Sequence, residues 1–232
     1  MTTILITGAN RGLGLEFARQ YAEAGARVLA CCREPGRARD LAAIAKVSGG
    51  TVSVHRLDVG DPASIAALAK ELNGEAIDVL LNNAGVYGDR DRQQLDCVDG
   101  TSWEETLRIN ALGPLLVSKA LLANLERGGR KVIALVTSRM GSIADNTSGG
   151  AYVYRASKAA LNAVGMSLAR DLAARGITVV LFHPGWVKTD MGGAGAPIAP
   201  KDSIAGMRRL IDKATPKDSG RFLNYDGAAV PW

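Results

Sequence analysis

Tyr154 and Lys158 are the residues of this sequence best suited to move a proton. They stand four positions apart in Tyr154-Arg155-Ala156-Ser157-Lys158, within a helical pattern, and so share one face. A phenol has a pKa of about 10, too high for efficient proton exchange near neutrality. An ammonium at ~4 Å in an effective dielectric of ~20 contributes ~4 kcal/mol, or roughly three pKa units. That would bring Tyr154 to about 7, where a general acid/base works best. For an isolated match the plainer reading is an aromatic ring and an aliphatic stem packed on a helix.

A second motif changes the weighing. Thr7-Gly8-Ala9-Asn10-Arg11-Gly12-Leu13-Gly14 follows the apolar run Ile4-Leu5-Ile6 and precedes a helical stretch. The spacing Gly8-xxx-Gly12-x-Gly14 differs from GxGxxG. The physical demands are the same: a tight turn, a backbone without Cβ beside a pyrophosphate, and close helix–strand packing. The following helix would offer free N–H groups and its positive end to phosphates. No Lys-Ser or Lys-Thr follows the last glycine, which argues against a P-loop. A dinucleotide on one motif and a proton donor in the other point to a nicotinamide-dependent oxidoreductase.

The second apolar run ends Ala30-Cys31-Cys32-Arg33. An acidic residue here would favour NAD through the ribose 2′-hydroxyl. Arg33, with Arg11 inside the glycine turn, favours a 2′-phosphate instead, and hence NADP(H) over NAD(H). The plainer reading of each arginine is a solvated surface charge.

The elements that must position these groups alternate along the chain. Strands are expected at Thr3–Thr7, Arg27–Cys31, Thr51–Leu57, Ile77–Leu81, Lys131–Thr137, Thr178–Phe182 and Phe222–Tyr225. Helices are expected at Leu13–Ala24, Arg37–Val47, Pro62–Leu72, Ser102–Leu125, Tyr152–Arg175 and Ser203–Ala214. Several strands are almost continuously apolar, as parallel strands covered on both faces must be. Strict βαβ alternation predicts an α/β, doubly wound, parallel seven-stranded sheet, a single-domain Rossmann fold over residues 1–232. The Gly/Ala/Pro-rich stretch Met191–Lys201 reads either as a surface loop or as a flap beside the site.

Composition sets the outer bounds. Apolar residues are 47% and charged residues 22%, as in a globular protein with a sizeable core. The net charge of +5 is scattered, and aromatics are 5%, so no nucleic-acid face is expected. No apolar run approaches the roughly 20 residues of a membrane span. Met1-Thr2-Thr3 leads straight into the first strand, so no leader is expected. Three cysteines without CxxC spacing fit a reduced, cytoplasmic protein. His55 and His183 have no metal-site spacing, and Ser138 does not lie in GxSxG.

Taken together, the motifs resemble those of the short-chain dehydrogenase/reductases over nearly the whole chain. Thr7–Gly14 resembles TGxxxGxG, Asn82-Asn83-Ala84-Gly85 resembles NNAG, and His183-Pro184-Gly185 begins a Pro-Gly segment after the sixth strand. Asn110, Ser138, Tyr154 and Lys158 match the family's catalytic tetrad. Met140-Gly141-Ser142-Ile143 and the Tyr225-Asp226-Gly227 ending resemble the C-factor/Sniffer-like carbonyl reductases. The resemblance implies that Ser138 holds the substrate carbonyl, Tyr154 exchanges the proton, Lys158 lowers the Tyr154 pKa and binds ribose, and Asn110 holds a water in a proton relay. It implies that NADP(H) is lined by Gly8, Asn10, Arg11, Gly12, Leu13, Gly14, Arg33, Asp58, Val59, Asn83, Ala84 and Gly85. Tyr154, Lys158, Pro184, Gly185, Val187 and Thr189 complete that lining. The implied partners are a small carbonyl substrate and further copies of the chain, as a homodimer or homotetramer. A dinucleotide-binding signalling protein is the alternative. The Ser138-to-Tyr154 spacing is slightly longer than the family's, with extra residues around Ser148-Gly149-Gly150.

Overall fold

The computed structural model describes residues 1–232 and contains one parallel sheet of seven strands. The strands are β1 (Thr3–Thr7), β2 (Arg27–Cys32), β3 (Val52–Arg56), β4 (Val79–Asn82), β5 (Val132–Val136), β6 (Thr178–His183) and β7 (Phe222–Asn224). Their order across the sheet is β3-β2-β1-β4-β5-β6-β7. The direction of winding reverses between β1 and β4, so a crevice opens there beyond the carboxyl ends of the strands.

Alternation along the strands feeds two cores. Ile4 and Ile6 join Val28, Leu81 and Ala134 on one face, while Leu5 joins Leu29, Leu80 and Ile133 on the other. Both faces are dry because helices cover both. These are α1 (Gly12–Glu23), α2 (Arg39–Val47), α3 (Pro62–Glu71), α4 (Gly100–Leu107), α5 (Gly113–Ala120), α6 (Leu122–Arg127), α7 (Tyr152–Asp171) and α8 (Pro200–Lys213). No helix is long and apolar enough to cross a membrane. Asp61 caps α3 by accepting from the Ala63 N–H at 2.9 Å, just before Pro62.

The expected helix Ser102–Leu125 is not continuous. It is α4, a π-helical turn over Arg108–Leu112, α5 and α6 in succession. Two local causes act here. Pro114 has no N–H for the Asn110 carbonyl four residues earlier. The Asn110 side chain is drawn away toward Val86, accepting from its N–H and donating to its carbonyl, both at 2.8 Å. The apolar periodicity survives such a widened turn, so the sequence pattern reads through it.

Candidate active site

Segments at the carboxyl ends of six strands, β1 to β6, converge on a cleft of about 630 Å³. Its outer wall is the glycine turn. Gly8 has φ +66°, and a Cβ on it would meet the Ala84 backbone at 2.9 Å. A Cβ on Gly14 would lie 2.2 Å from the Gly8 carbonyl oxygen, so α1 approaches the turn as only glycine allows. Asn83 ties the turn to β4, donating through Nδ2 to the Thr7 carbonyl at 2.9 Å and to the Gly8 carbonyl at 3.2 Å. The α1 N-terminus has no side-chain cap and no acidic residue in its first turn. Its free N–H groups and positive dipole end therefore suit a phosphate.

The far end of the cleft is basic. Arg33 lines it, as do Arg37 and Arg56, two residues the motifs did not reveal. Strand register accounts for Arg56, which stands opposite Cys32 in the β2–β3 pairing. Asp58 and Val59 complete that end, and the Asp58 carboxylate accepts from the Gly60 N–H at 2.9 Å. Arg11 lines the cleft but is paired with Asp190 at 2.9 Å, 179 residues away in the chain. Arg90 donates to the Met191 carbonyl at 2.9 Å, so two arginines hold the Asp190–Met191 segment over the cleft mouth. Asn10, Gly12, Leu13, Ala84, Gly85, Pro184 and Thr189 also line the wall, with Val86, Ile109 and Met191 added by the fold.

Gly185 and Val187 lie behind the wall. Gly185 has φ +83°, and a Cβ there would meet Ile198 Cδ1 at 2.4 Å and the Tyr225 ring at 3.1 Å. Val187 is buried and bridges Ile198 in a parallel pair, which fixes both ends of the segment between them. Just before that segment, Trp186 donates through Nε1 to the Gly192 carbonyl within it at 2.8 Å. The stretch Met191–Lys201 is thus an anchored loop at the cleft mouth, with its last two residues already in α8.

Tyr154 and Lys158 stand on α7 at the inner end of the cleft, both buried. Lys158 donates to the Val136 carbonyl at 3.0 Å, and its Nζ is 5.9 Å from the Tyr154 ring centroid. Burial pushes the Tyr154 phenol up to about 12; the Ser138 hydroxyl acts in the opposite direction, and neighbouring Tyr87 adds to the rise. Burial brings the Lys158 ammonium down to about 8. The expected fall of the phenol toward neutrality is therefore absent in this arrangement. Loss of solvation dominates the phenol, and the Lys158 ammonium is engaged by a backbone carbonyl rather than by the phenol.

Ser138 and Asn110 sit just behind the cleft surface. The Ser138 hydroxyl caps the next turn, accepting from the Met140 N–H at 3.2 Å. That turn packs directly on α7, since a Cβ on Gly141 would lie 2.7 Å from the Lys158 carbonyl carbon. Asn162 fixes it further, donating to the Gly141 carbonyl at 3.2 Å and accepting from Thr137 Oγ1 at 2.7 Å. Asn110 is fully buried and also donates to Ser157 Oγ at 2.9 Å. Its side chain is therefore committed to protein partners, and Pro114 has no N–H to offer its backbone carbonyl.

Similarity to known proteins agrees with this architecture. The short chain dehydrogenase family profile matches residues 2–196. The C-signal protein of Myxococcus xanthus is 52% identical over 160 residues, covering 67% of this chain and 93% of that protein. The carbonyl reductase Sniffer of D. melanogaster superposes with a TM-score of 0.93 at 34% identity, over 100% of both chains. An NADPH-bound carbonyl reductase from chicken fatty liver gives 0.92 at 34% identity, over 100% of this chain and 99% of that one. The chain belongs to the short-chain dehydrogenase/reductase family.

Proposed function

We propose that the chain is an NADP(H)-dependent oxidoreductase acting on a small ketone or aldehyde, or on the matching secondary alcohol. The observation that carries this reading is a buried phenol, Tyr154, at the inner end of a cleft whose outer end holds Arg33, Arg37 and Arg56. When bound, the cofactor supplies or accepts the hydride at the carbonyl carbon. The uncapped α1 N-terminus and the arginines suit its phosphates, so the residues present fit it. The NADPH-bound neighbour supports the choice of cofactor.

In reduction, Tyr154 donates its proton to the carbonyl oxygen. A phenol near 12 is fully protonated at neutral pH, which is the form a donor needs. Ser138, hydrogen-bonded beside it, stabilises the developing oxyanion. Lys158, still largely protonated with a pKa of about 8, favours the phenolate left behind. Asn110 holds the loop after β4 against α7, and its backbone carbonyl, which Pro114 cannot engage at the usual helical spacing, is the group assigned to the proton path.

Carbonyl-dependent loss of NADPH absorbance across a panel of ketones and aldehydes tests the proposal. The likeness to the C-signal protein supports a second reading, a dinucleotide-binding signalling protein. Tight NADPH binding with no turnover on that panel would favour it. A homodimer or homotetramer in the cytoplasm is part of the first reading. The three free cysteines support the compartment, and light scattering at micromolar concentration tests the assembly.

A further inference from the structure

The helix that carries Tyr154 and Lys158 begins without a cap of its own. Ala151, in the N-cap position, has φ 49° and ψ 41°, a left-handed conformation rare outside glycine, and it makes no side-chain cap bond. Gly149 and Gly150 before it also have positive φ. The first N–H groups of α7 nevertheless find partners, and both come from one residue far away in the chain. The Gln93 carbonyl accepts from the Tyr152 N–H at 3.0 Å, and Gln93 Oε1 accepts from the Tyr154 N–H at 3.1 Å.

Gln93 is 2% exposed, and the other end of its amide is equally committed. Nε2 donates to the Tyr87 carbonyl at 3.0 Å and to the Asp89 carbonyl at 3.1 Å. Gly88 makes room for it, since a Cβ there would lie 3.0 Å from Nε2 and 2.7 Å from Thr106 Oγ1. One planar amide therefore grips the Tyr87 backbone on one side and the Tyr154 backbone on the other. The two rings stack with centroids 4.7 Å apart. Arg90, its guanidinium 5.2 Å from the Tyr87 ring centroid, covers that ring from the direction of the cleft mouth.

We propose that Gln93 is a positioning residue for the reaction, capping α7 from outside and fixing Tyr154 against the aromatic wall of Tyr87. This rests on Tyr154 being the proton donor. Displacing a reacting group by about 1 Å can cost on the order of 100-fold in rate, so the effect belongs in kcat. The glycine turn and the basic end of the cleft, which suit the cofactor's phosphates, lie on other elements, so cofactor affinity should hardly follow.

The experiment compares wild type, Gln93→Met and Gln93→Glu for NADPH binding by fluorescence and for carbonyl reduction against pH. Gln93→Met keeps the volume and loses every bond. It should lower kcat about 10- to 100-fold while NADPH affinity stays within about twofold. Gln93→Glu, when protonated, can still accept from Tyr154 N–H and donate to one carbonyl. When ionised it faces the Tyr87 and Asp89 carbonyls and the stacked phenols, with Asp89 and Arg92 on the solvent side. Its activity should therefore approach wild type at low pH and fall as the pH rises, along a limb wild type lacks. Should Gln93→Met fail to fold, this pH limb alone decides. Wild-type kcat in Gln93→Met, parallel losses of kcat and NADPH affinity, or a Gln93→Glu profile parallel to wild type would each overturn the proposal. Wild-type protein that turns over no carbonyl would overturn the reading of Tyr154 itself, and this role with it.

Discussion

The Lys158 ammonium is bound to the Val136 carbonyl at 3.0 Å, at the end of β5, and not to the phenol of Tyr154. The charge at the centre of the site is thus anchored to the sheet, while the Tyr154 phenol is anchored through its own helix. That separation governs how the protein should respond to pH and to substitution.

Lys158 is a buried cation whose pKa falls from 10.5 to about 8. Between those values the unfolded chain binds more protons than the folded one, so this group makes stability rise as the pH climbs from about 8 to 10.5. Below that window its burial is a standing cost. Lys158→Met should therefore be more stable than wild type at pH 7, by an amount on the order of a few kcal/mol that shrinks toward pH 10.5. Urea midpoints at both ends of the window check this, and a gap that widens with pH would refute it.

Tyr154→Phe removes one oxygen and keeps the ring on Tyr87. Folding and NADPH affinity should barely change, while kcat falls by about 10²–10⁴-fold, the usual contribution of general acid catalysis. Single-turnover reduction under saturating NADPH measures it. A folded variant with more than about a tenth of wild-type turnover would make Tyr154 a packing residue.

Arg33 and Arg11 should differ in their effect on cofactor choice. Arg33→Ser should weaken NADPH about 10- to 100-fold and leave NADH nearly unchanged, from the loss of a charge-assisted bond. Arg11 is already engaged by Asp190, on the surface, where such pairs contribute little. Arg11→Ser should have the smaller effect. Titration of both reduced cofactors against both variants checks the order.

Gly14→Ala tests the closeness of α1 to the glycine turn. The added carbon would fall 2.2 Å from the Gly8 carbonyl oxygen and 2.6 Å from Asn83 Nδ2. Overpacking of this kind costs about 1–3 kcal/mol. Thermal unfolding should drop accordingly, and NADPH binding should weaken because the turn itself must shift.

The sequence made some parts of this molecule legible and hid others for identifiable reasons. β1, the glycine turn and the Tyr154–Lys158 pair are local patterns, and local patterns survive without a fold. Arg56 enters the site through register with β2, which no single segment encodes. The break at Arg108–Leu112 preserves apolar spacing and so left no mark on periodicity, although Pro114 was its one visible cause. Gln93 lies 61 residues from the N–H it caps, in a polar loop with no pattern of its own. The protonation of Tyr154 depends on burial, which raises the phenol's pKa, while the ammonium counted in sequence is bound to the Val136 carbonyl.

The parallel bridge between Val187 and Ile198 has a consequence for how this fold can change its substrates. Because the Ile198 carbonyl accepts from the Lys188 N–H and the Ile198 N–H donates to the Trp186 carbonyl, on either side of Val187, the residues between Val187 and Ile198 form a closed cassette with both ends clamped. Exchanging the interior of the cassette should alter the rim of the cleft while β6, α8 and the helix that carries Tyr154 and Lys158 stay where they are. Beyond Thr189 and Asp190, selection or engineering can therefore reshape the mouth of the cleft without disturbing the helix that carries Tyr154 and Lys158.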